Sequence, residues 1–383
     1  MSRRLAAISL VLVSLLAIPA RTARRPRYGG TLRVEIGAVV NSLDPGVAAT
    51  NPGETAAKDE IDALIYGPRN VDGTFAASVA GGGPFRVAEW EPGNHLTLAA
   101  NDDYREGRPF VDSVEVQMGR AARDRLLDLE LNKTDLAEIP PEQARRAADR
   151  GVRVSASRPD ELVSLVFLAG RPTTEDARVR EAIARSIDRA AIVNFILQKE
   201  GEAAAGLLPQ WSSGTAFLFS TAADPTGAKG LSLQINPASR IVLGYDAGDP
   251  LEQSVAERIV VNARETGISV VSQPIQAGTS ASLSADARLM RMRMPASHPR
   301  AAILSYLAIL GPLTGLDATP LPAVATPEEI FAREEGVVNS FRVVPLVWLP
   351  CVYGLGTRVR DWKTPAPGEN WPLADVWLEE ETQ

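Results

Sequence analysis

Apolar and charged residues alternate from Thr31 to Ile36, the period-two pattern of a half-buried strand. Phe85 to Trp90 and His95 to Ala99 flank Pro92-Gly93 and predict a hairpin, and Val114 to Val116 predicts another strand. Leu162 to Leu168 is a nearly continuous apolar run, as in a strand buried on both faces, and Val343 to Leu349 reads as a final buried strand. Short helices are expected over Glu54 to Tyr66 and Arg120 to Leu131. From Glu175 to Gln198, residues Val179, Ile183, Ile187, Ala190, Val193 and Leu197 recur at steps of three and four. That spacing predicts one long helix, with Glu175 and Asp176 at its electropositive end and Gly201 past its end. Strand, helix and strand over Ile241 to Gly244, Pro250 to Thr266 and Ile268 to Val271 form a βαβ unit, which places the chain in the α/β class. Val40 to Gly53 and Pro312 to Pro327 read as loops. Gly81-Gly82-Gly83-Pro84 is a breaker rather than a phosphate loop, because no Lys-Ser/Thr follows it.

The N-terminus adds a destination. Met1-Ser2-Arg3-Arg4 is basic, Leu5 to Ile18 is an apolar run of 14 residues, and Pro19-Ala20 supplies a small residue for cleavage. This is a secretory signal pattern, shorter than the ~20 residues of a membrane span. Arg21, Arg24, Arg25 and Arg27 follow the run, so a retained anchor is the alternative. No cysteine lies there to carry a lipid, and Ser2-Arg3-Arg4 is only a faint twin-arginine signal. The expected compartment is a periplasm.

A chain of 383 residues predicts two or three domains, and 45% apolar with 23% charged residues is ordinary for a soluble protein. The net charge of −7 argues against a nucleic-acid-binding surface. Cys351 is the sole cysteine, which excludes an intrachain disulfide, a CxxC redox site and a cysteine-rich zinc site.

Candidate catalytic chemistry is sparse. His95 and His298 are the only histidines and neither has a metal-ligand spacing. There is no GxSxG elbow and no Walker loop. Acidic pairs such as Asp102-Asp103 read as solvated faces. No enzyme, metal or cofactor is expected. Trp348, Trp362, Trp371 and Trp377 read as packing of a C-terminal tail. Trp211, within Leu207-Leu208-Pro209-Gln210-Trp211-Ser212-Ser213-Gly214, sits in a Pro/Gly/Ser loop, where a ligand-facing role competes with local packing.

Collinear segments carry a resemblance. They are Tyr28-Gly29-Gly30-Thr31-Leu32-Arg33-Val34 with Ser42-Leu43-Asp44-Pro45, and Gly83-Pro84-Phe85-Arg86-Val87-Ala88-Glu89-Trp90-Glu91-Pro92-Gly93. Asn101-Asp102-Asp103-Tyr104 and Gly107-Arg108-Pro109-Phe110-Val111-Asp112 follow, then Arg178-Val179-Arg180-Glu181-Ala182-Ile183 with Ser186-Ile187-Asp188-Arg189. Val344-Pro345-Leu346-Val347-Trp348-Leu349 and Arg358-Val359-Arg360-Asp361-Trp362 close the series. Together they resemble the family 5 extracellular solute-binding proteins, the dipeptide, oligopeptide and nickel-binding proteins of ABC importers. The resemblance implies a two-lobed periplasmic-binding-protein fold (class II, type-C-like), with the family's extra domain largely missing between Tyr66 and Gly81. It also implies an acidic turn, Asp-Tyr-Pro-Asp-Pro, where this chain has Pro295-Ala296-Ser297-His298-Pro299. Such a turn commonly pairs with a peptide's α-amino group, and a buried ammonium needs a partner.

On this resemblance, residues 28–160 plus 336–383 form lobe I and 161–335 form lobe II, after a signal peptide at 1–20. The lobes close on a solute held in the cleft and lined by Asn41, Ser42, Leu43, Trp211, His298 and Tyr353. The implied partners are a peptide or other small polar solute and ABC importer permease subunits. A non-transporting scaffold or sensor partner is the alternative, and an enzyme on this scaffold is a third.

Overall fold

A computed structural model describes residues 25–47, 52–67, 82–213, 219–235, 240–276, 284–294, 296–366 and 369–380. The expected signal peptide at 1–20 lies outside the described residues.

The chain first runs through β1 (Thr31–Glu35), α1 (Pro52–Tyr66), β2 (Phe85–Glu91), β3 (His95–Ala100), β4 (Ser113–Gln117), α2 (Ala122–Glu130), β5 (Leu136–Ile139), α3 (Ala144–Asp149) and β6 (Arg153–Ala156). It continues through β7 (Glu161–Phe167), α4 (Ala177–Ser186), β8 (Glu202–Ala203), α5 (Pro225–Ser232), β9 (Ile241–Asp246), α6 (Pro250–Glu265), β10 (Val270–Ile275), β11 (Ala287–Arg293), α7 (Pro299–Thr314), α8 (Pro327–Asn339) and β12 (Val343–Leu349). It ends with β13 (Val352–Leu355), β14 (Val359–Arg360) and β15 (Trp377–Leu378).

These strands build two mixed sheets, ordered β2-β3-β4-β1-β5-β13-β6 and β10-β9-β11-β7-β12-β8, and β14 pairs with β15 in a separate two-stranded sheet. β1 pairs in parallel with β4 and β5, and β9 pairs in parallel with β10 across α6, as the βαβ pattern predicts. β7 shows why its sequence is apolar throughout. Val163, Leu165 and Phe167 face one core with α4 and α6, while Leu162 and Val166 face another with Tyr306 of α7 and Ile330 of α8. The first lobe has its own core, including Leu32, Val34, Ile61, Phe85, Leu96, Val114 and Tyr353.

Three expectations change. The long helix from Glu175 to Gln198 is broken. α4 ends at Ser186, Ile187 is extended at ψ 117°, and the Asp188 carboxylate accepts from Ala191 N–H to start a new short turn over Arg189–Ala191. Ile192–Ile196 is a π-helical turn. Ile183, Ile187, Ile192 and Leu197 all still reach the same core, so the apolar stripe records burial but not helix continuity. The loop expected from Pro312 begins later, because α7 continues to Thr314 with Pro312 inside it and closes on Gly315 at φ 73°. Finally, Val343–Leu349, expected in the first lobe, pairs with β7 and β8 in the second sheet. The return passage between lobes therefore falls at residues 350–351, not near 336.

Gly83 lies against the end of α1. Gly83 N–H donates to Ile65 O at 3.0 Å, and Asn101 Nδ2 donates to Gly83 O at 2.8 Å, so β2 begins against the end of α1.

Candidate functional site

The chain passes between the lobes twice, at residues 157–160 and at 350–351, and the two passages are bonded to each other. Ser157 N–H donates to Cys351 O at 2.9 Å, Cys351 N–H to Ser157 Oγ at 2.9 Å, and Asp160 N–H to Leu349 O at 2.9 Å. Two short segments that run side by side between the two sheets are the geometry of a hinge.

Beside the hinge, Arg293 at the end of β11 reaches out of the second lobe. Its Nη1 lies 3.3 Å from Glu60 Oε1 of α1, its Nη2 3.3 Å from the Tyr353 hydroxyl of β13, and its Nε 3.6 Å from Asp160 Oδ2 in the passage. On the first lobe these acceptors are held independently. Trp371 N–H donates to Glu60 Oε2 at 2.6 Å and Trp371 Nε1 approaches the Tyr353 oxygen at 3.3 Å. Trp362 packs edge-on to Tyr353 with ring centroids 5.0 Å apart. A parallel arrangement surrounds Arg291, two residues earlier on the same strand face. It bonds Glu161 at 2.6 Å and Asp249 at 2.7 Å.

Burial pushes the Glu60 carboxyl up to about 8, against the pull of Arg293 and the Trp371 N–H. Burial likewise raises Asp160, while the surrounding acceptors hold Arg293 well above its usual value despite its own burial. The folded pKa of Glu60 exceeds its unfolded one, so its contribution to stability is complete below about pH 4.3 and is lost as pH rises to about 8. Glu60→Gln should flatten that part of the stability profile, read from urea midpoints between pH 5 and pH 8.5; an unchanged slope would place the titration elsewhere.

The six residues expected to line the cleft are not brought into one group. Asn41, Ser42 and Leu43 lie against α1: Asn41 N–H contacts Glu54 Oε1 at 3.3 Å, Ser42 O accepts from Lys58 Nζ at 3.2 Å, and Leu43 O accepts from the Tyr66 hydroxyl at 3.1 Å. Trp211 and His298 are neighbours on the second lobe. Ser212 Oγ approaches Ser297 O at 3.4 Å, and His298 precedes α7 without capping it through its side chain. Trp211 Nε1 donates to Pro159 O at 3.0 Å, so this indole is tied to the hinge. Tyr353 is fully buried beneath Arg293. Glu60, Asp160 and Arg293 escaped the sequence reading. The available signal was the alternation Arg291-Met292-Arg293, two cations on one face of a short apolar strand. A cavity of about 540 Å³ between α8 and the segment that follows α7 is lined by Leu316, Leu321, Arg333 and Val337, and contains none of these residues.

Two α/β lobes joined by paired, mutually bonded passages define the two-lobed periplasmic-binding-protein fold. The model of the bacterial extracellular solute-binding proteins, family 5 Middle, matches residues 44–305, more than half of the chain. The chain belongs to this family, which is one of solute binders rather than of enzymes. It is 30% identical over 128 residues to the oligopeptide-binding protein AppA of Bacillus subtilis, covering 32% of this chain and 23% of that protein. It is 27% identical over 203 residues to a probable D,D-dipeptide-binding periplasmic protein, DdpA, of Escherichia coli, covering 52% and 39%. The matches thus span less than half the length of these relatives. The solved structure of Bacillus subtilis AppA in complex with a nonapeptide superposes with a TM-score of 0.71 at 14% identity, over 93% of this chain and 100% of that one. Among the described residues no helix is long and apolar enough to cross a membrane.

Proposed function

We propose that this protein is an exported binding component of an ABC importer, holding a peptide or other small polar solute between its lobes. The observation that carries the reading is the pair of bonded passages at 157–160 and 350–351 with polar side chains of both lobes converging beside them. Closure of such lobes on a solute is a population shift, driven by tighter binding to the closed state, which the importer then recognises. Relatives named for oligopeptide and dipeptide binding support the choice of solute class. Asn41, Ser42, Leu43, Trp211, His298 and Tyr353 are proposed to line the cleft, with Tyr353 becoming accessible only as Arg293 moves away.

A second reading, a scaffold or sensor that no longer transports, is favoured by one feature. The turn after β11 offers Ala296, Ser297 and His298 and no carboxylate for a peptide amine. A thermal-shift screen of unfolded and refolded protein separates the two. Di- to pentapeptides, amidated and N-acetylated peptides, sugars and nickel form the panel. A ligand at 100 times its Kd stabilises the folded state by about 2.7 kcal/mol. The transport reading expects a hit that weakens when Trp211 and Tyr353 are substituted. Silence from a folded sample supports the scaffold reading, and an unaltered affinity in the two variants removes them from the lining.

A further inference from the structure

We propose that Arg293 is a built-in latch that holds the two lobes together in the absence of any solute, by placing the protein's own guanidinium in the acceptor set between them. The inference rests on the interlobe contact itself and does not depend on which solute, if any, the protein carries.

Three features of the contact support it. First, its partners are divided across the hinge. Arg293 belongs to β11 of the second lobe, Glu60 and Tyr353 belong to α1 and β13 of the first, and Asp160 lies in the passage between. Second, each side is prepared without the other. The Trp371 backbone and indole hold Glu60 and Tyr353 in place, while Arg293 is aligned opposite Glu161 on β7 and Met294 N–H donates to Asp160 O at 2.6 Å. Parting the lobes therefore breaks the guanidinium contacts and leaves both halves intact. Third, the contact is desolvated. The Glu60 and Asp160 side chains retain 4% and 0% of their surface, and Arg293 retains 20%. In such surroundings an unpaired guanidinium or carboxyl group is disfavoured, so the contact persists while the lobes are closed, and separation requires water to reach the groups on both sides. Arg180 provides the contrast: it is a buried guanidinium of the second lobe whose bonds go to Thr174, Glu175 and Ser340 carbonyls of the same lobe. Removing it disturbs one lobe without touching the gap.

The latch has a consequence for binding. A solute that enters the cleft competes with Arg293, so its apparent affinity is reduced by the fraction of molecules that are open.

The chain supplies its own reporter, because Cys351 is the sole cysteine and lies in the return passage, with Arg293 and Asp160 among its charged neighbours. Solute-stripped wild type, Arg293→Met, Glu60→Gln and Arg180→Met would be compared by small-angle scattering and by the labelling rate of Cys351 with an aromatic disulfide reagent. Wild type is expected near the radius of gyration of a compact chain of this length, about 21 Å. Arg293→Met and Glu60→Gln should be larger and should label several-fold faster, with Arg180→Met like wild type. If Arg293→Met labels as fast as urea-denatured protein, it has failed to fold and the isosteric Glu60→Gln decides. Wild-type dimensions and labelling in a folded Glu60→Gln or Arg293→Met overturn the proposal, as does a wild type already as extended as the variants.

Discussion

Asp135→Ala is expected to lower the stability of the first lobe by about 3 kcal/mol, the range for breaking a buried ion pair. Asp135 immediately precedes β5, with its side chain 2% exposed, and is gripped from two directions. Arg33 of β1 reaches it through Nε at 3.0 Å and Nη2 at 3.1 Å, and the Arg33 backbone N–H donates to it at 2.9 Å. Arg358, just before β14, adds a two-pronged contact at 2.7 Å on each prong, and its Nη2 also donates to Thr31 O at 2.8 Å. One carboxylate thus joins the first strand, the fifth and the C-terminal segment. Alanine removes the shared acceptor and leaves two guanidiniums side by side, whereas asparagine keeps one acceptor and should lose less. Burial alone would raise the Asp135 pKa; the two guanidiniums and the N–H outweigh it and hold the carboxyl below its ordinary value. Its stabilisation is therefore complete above the unfolded pKa of about 3.9 and is lost as pH falls through the lower folded value. Urea midpoints at pH 7 and at pH 3 should show the wild-type advantage over Asp135→Asn shrinking with acid. A wild-type-like midpoint for Asp135→Ala at pH 7 would assign the junction to packing of Leu32, Leu136 and Leu355 instead.

Such junctions mark the limit of what the sequence discloses. β7 was legible because burial on both faces demands a nearly continuous apolar run, and α6 with its flanking strands was legible because Pro250 and Gly267 punctuate it. β11 was not read, because Arg288, Arg291 and Arg293 interrupt its apolar residues. The charges of Arg291 and Arg293 are tolerated by partners from other elements: Glu161 of β7, Asp249 before α6, and Glu60 of α1. Arg293 and Glu60 are separated by 233 residues, and no local period records such a pairing. The candidate lining shows the same division. Trp211 was visible as a large aromatic in a turn-rich segment, and it does lie at the hinge, bonded to Pro159. Tyr353 is expected to line the cleft, yet its ring completes the first core, because β13 inserts between β5 and β6 only after the chain has built the entire second lobe. The departure from the family between Tyr66 and Gly81 was countable along the chain, but the direct contact of Gly83 with α1 required coordinates.

That contact makes Gly83→Ala the second substitution of large effect, with an expected loss of about 3 kcal/mol, at the upper end of overpacking costs. A Cβ at residue 83 would sit 2.4 Å from Leu64 O, 2.6 Å from Ile65 C and 2.8 Å from Ile65 O. All three are backbone atoms of the last turn of α1, so no side-chain rotation relieves the clash. Either β2 or α1 must move. Moving β2 strains Phe85, which is fully buried, and the Asn101 bond to Gly83 O. Moving α1 displaces Ile61 and Leu64 from the core, and with them Glu60 from Arg293. Gly230→Ala is the matched control. It lies within α5 with nothing inside 4 Å of its added methyl, so it should be neutral or stabilising by up to about 1 kcal/mol. Denaturation midpoints of the two variants should therefore shift in opposite directions or by very different amounts. Because α1 carries Glu60, Gly83→Ala should also speed Cys351 labelling in native buffer while Gly230→Ala does not. Equal midpoints for Gly83→Ala and wild type would mean that the seam between α1 and β2 yields easily, and that the close approach of Gly83 is not what fixes α1 against the first sheet.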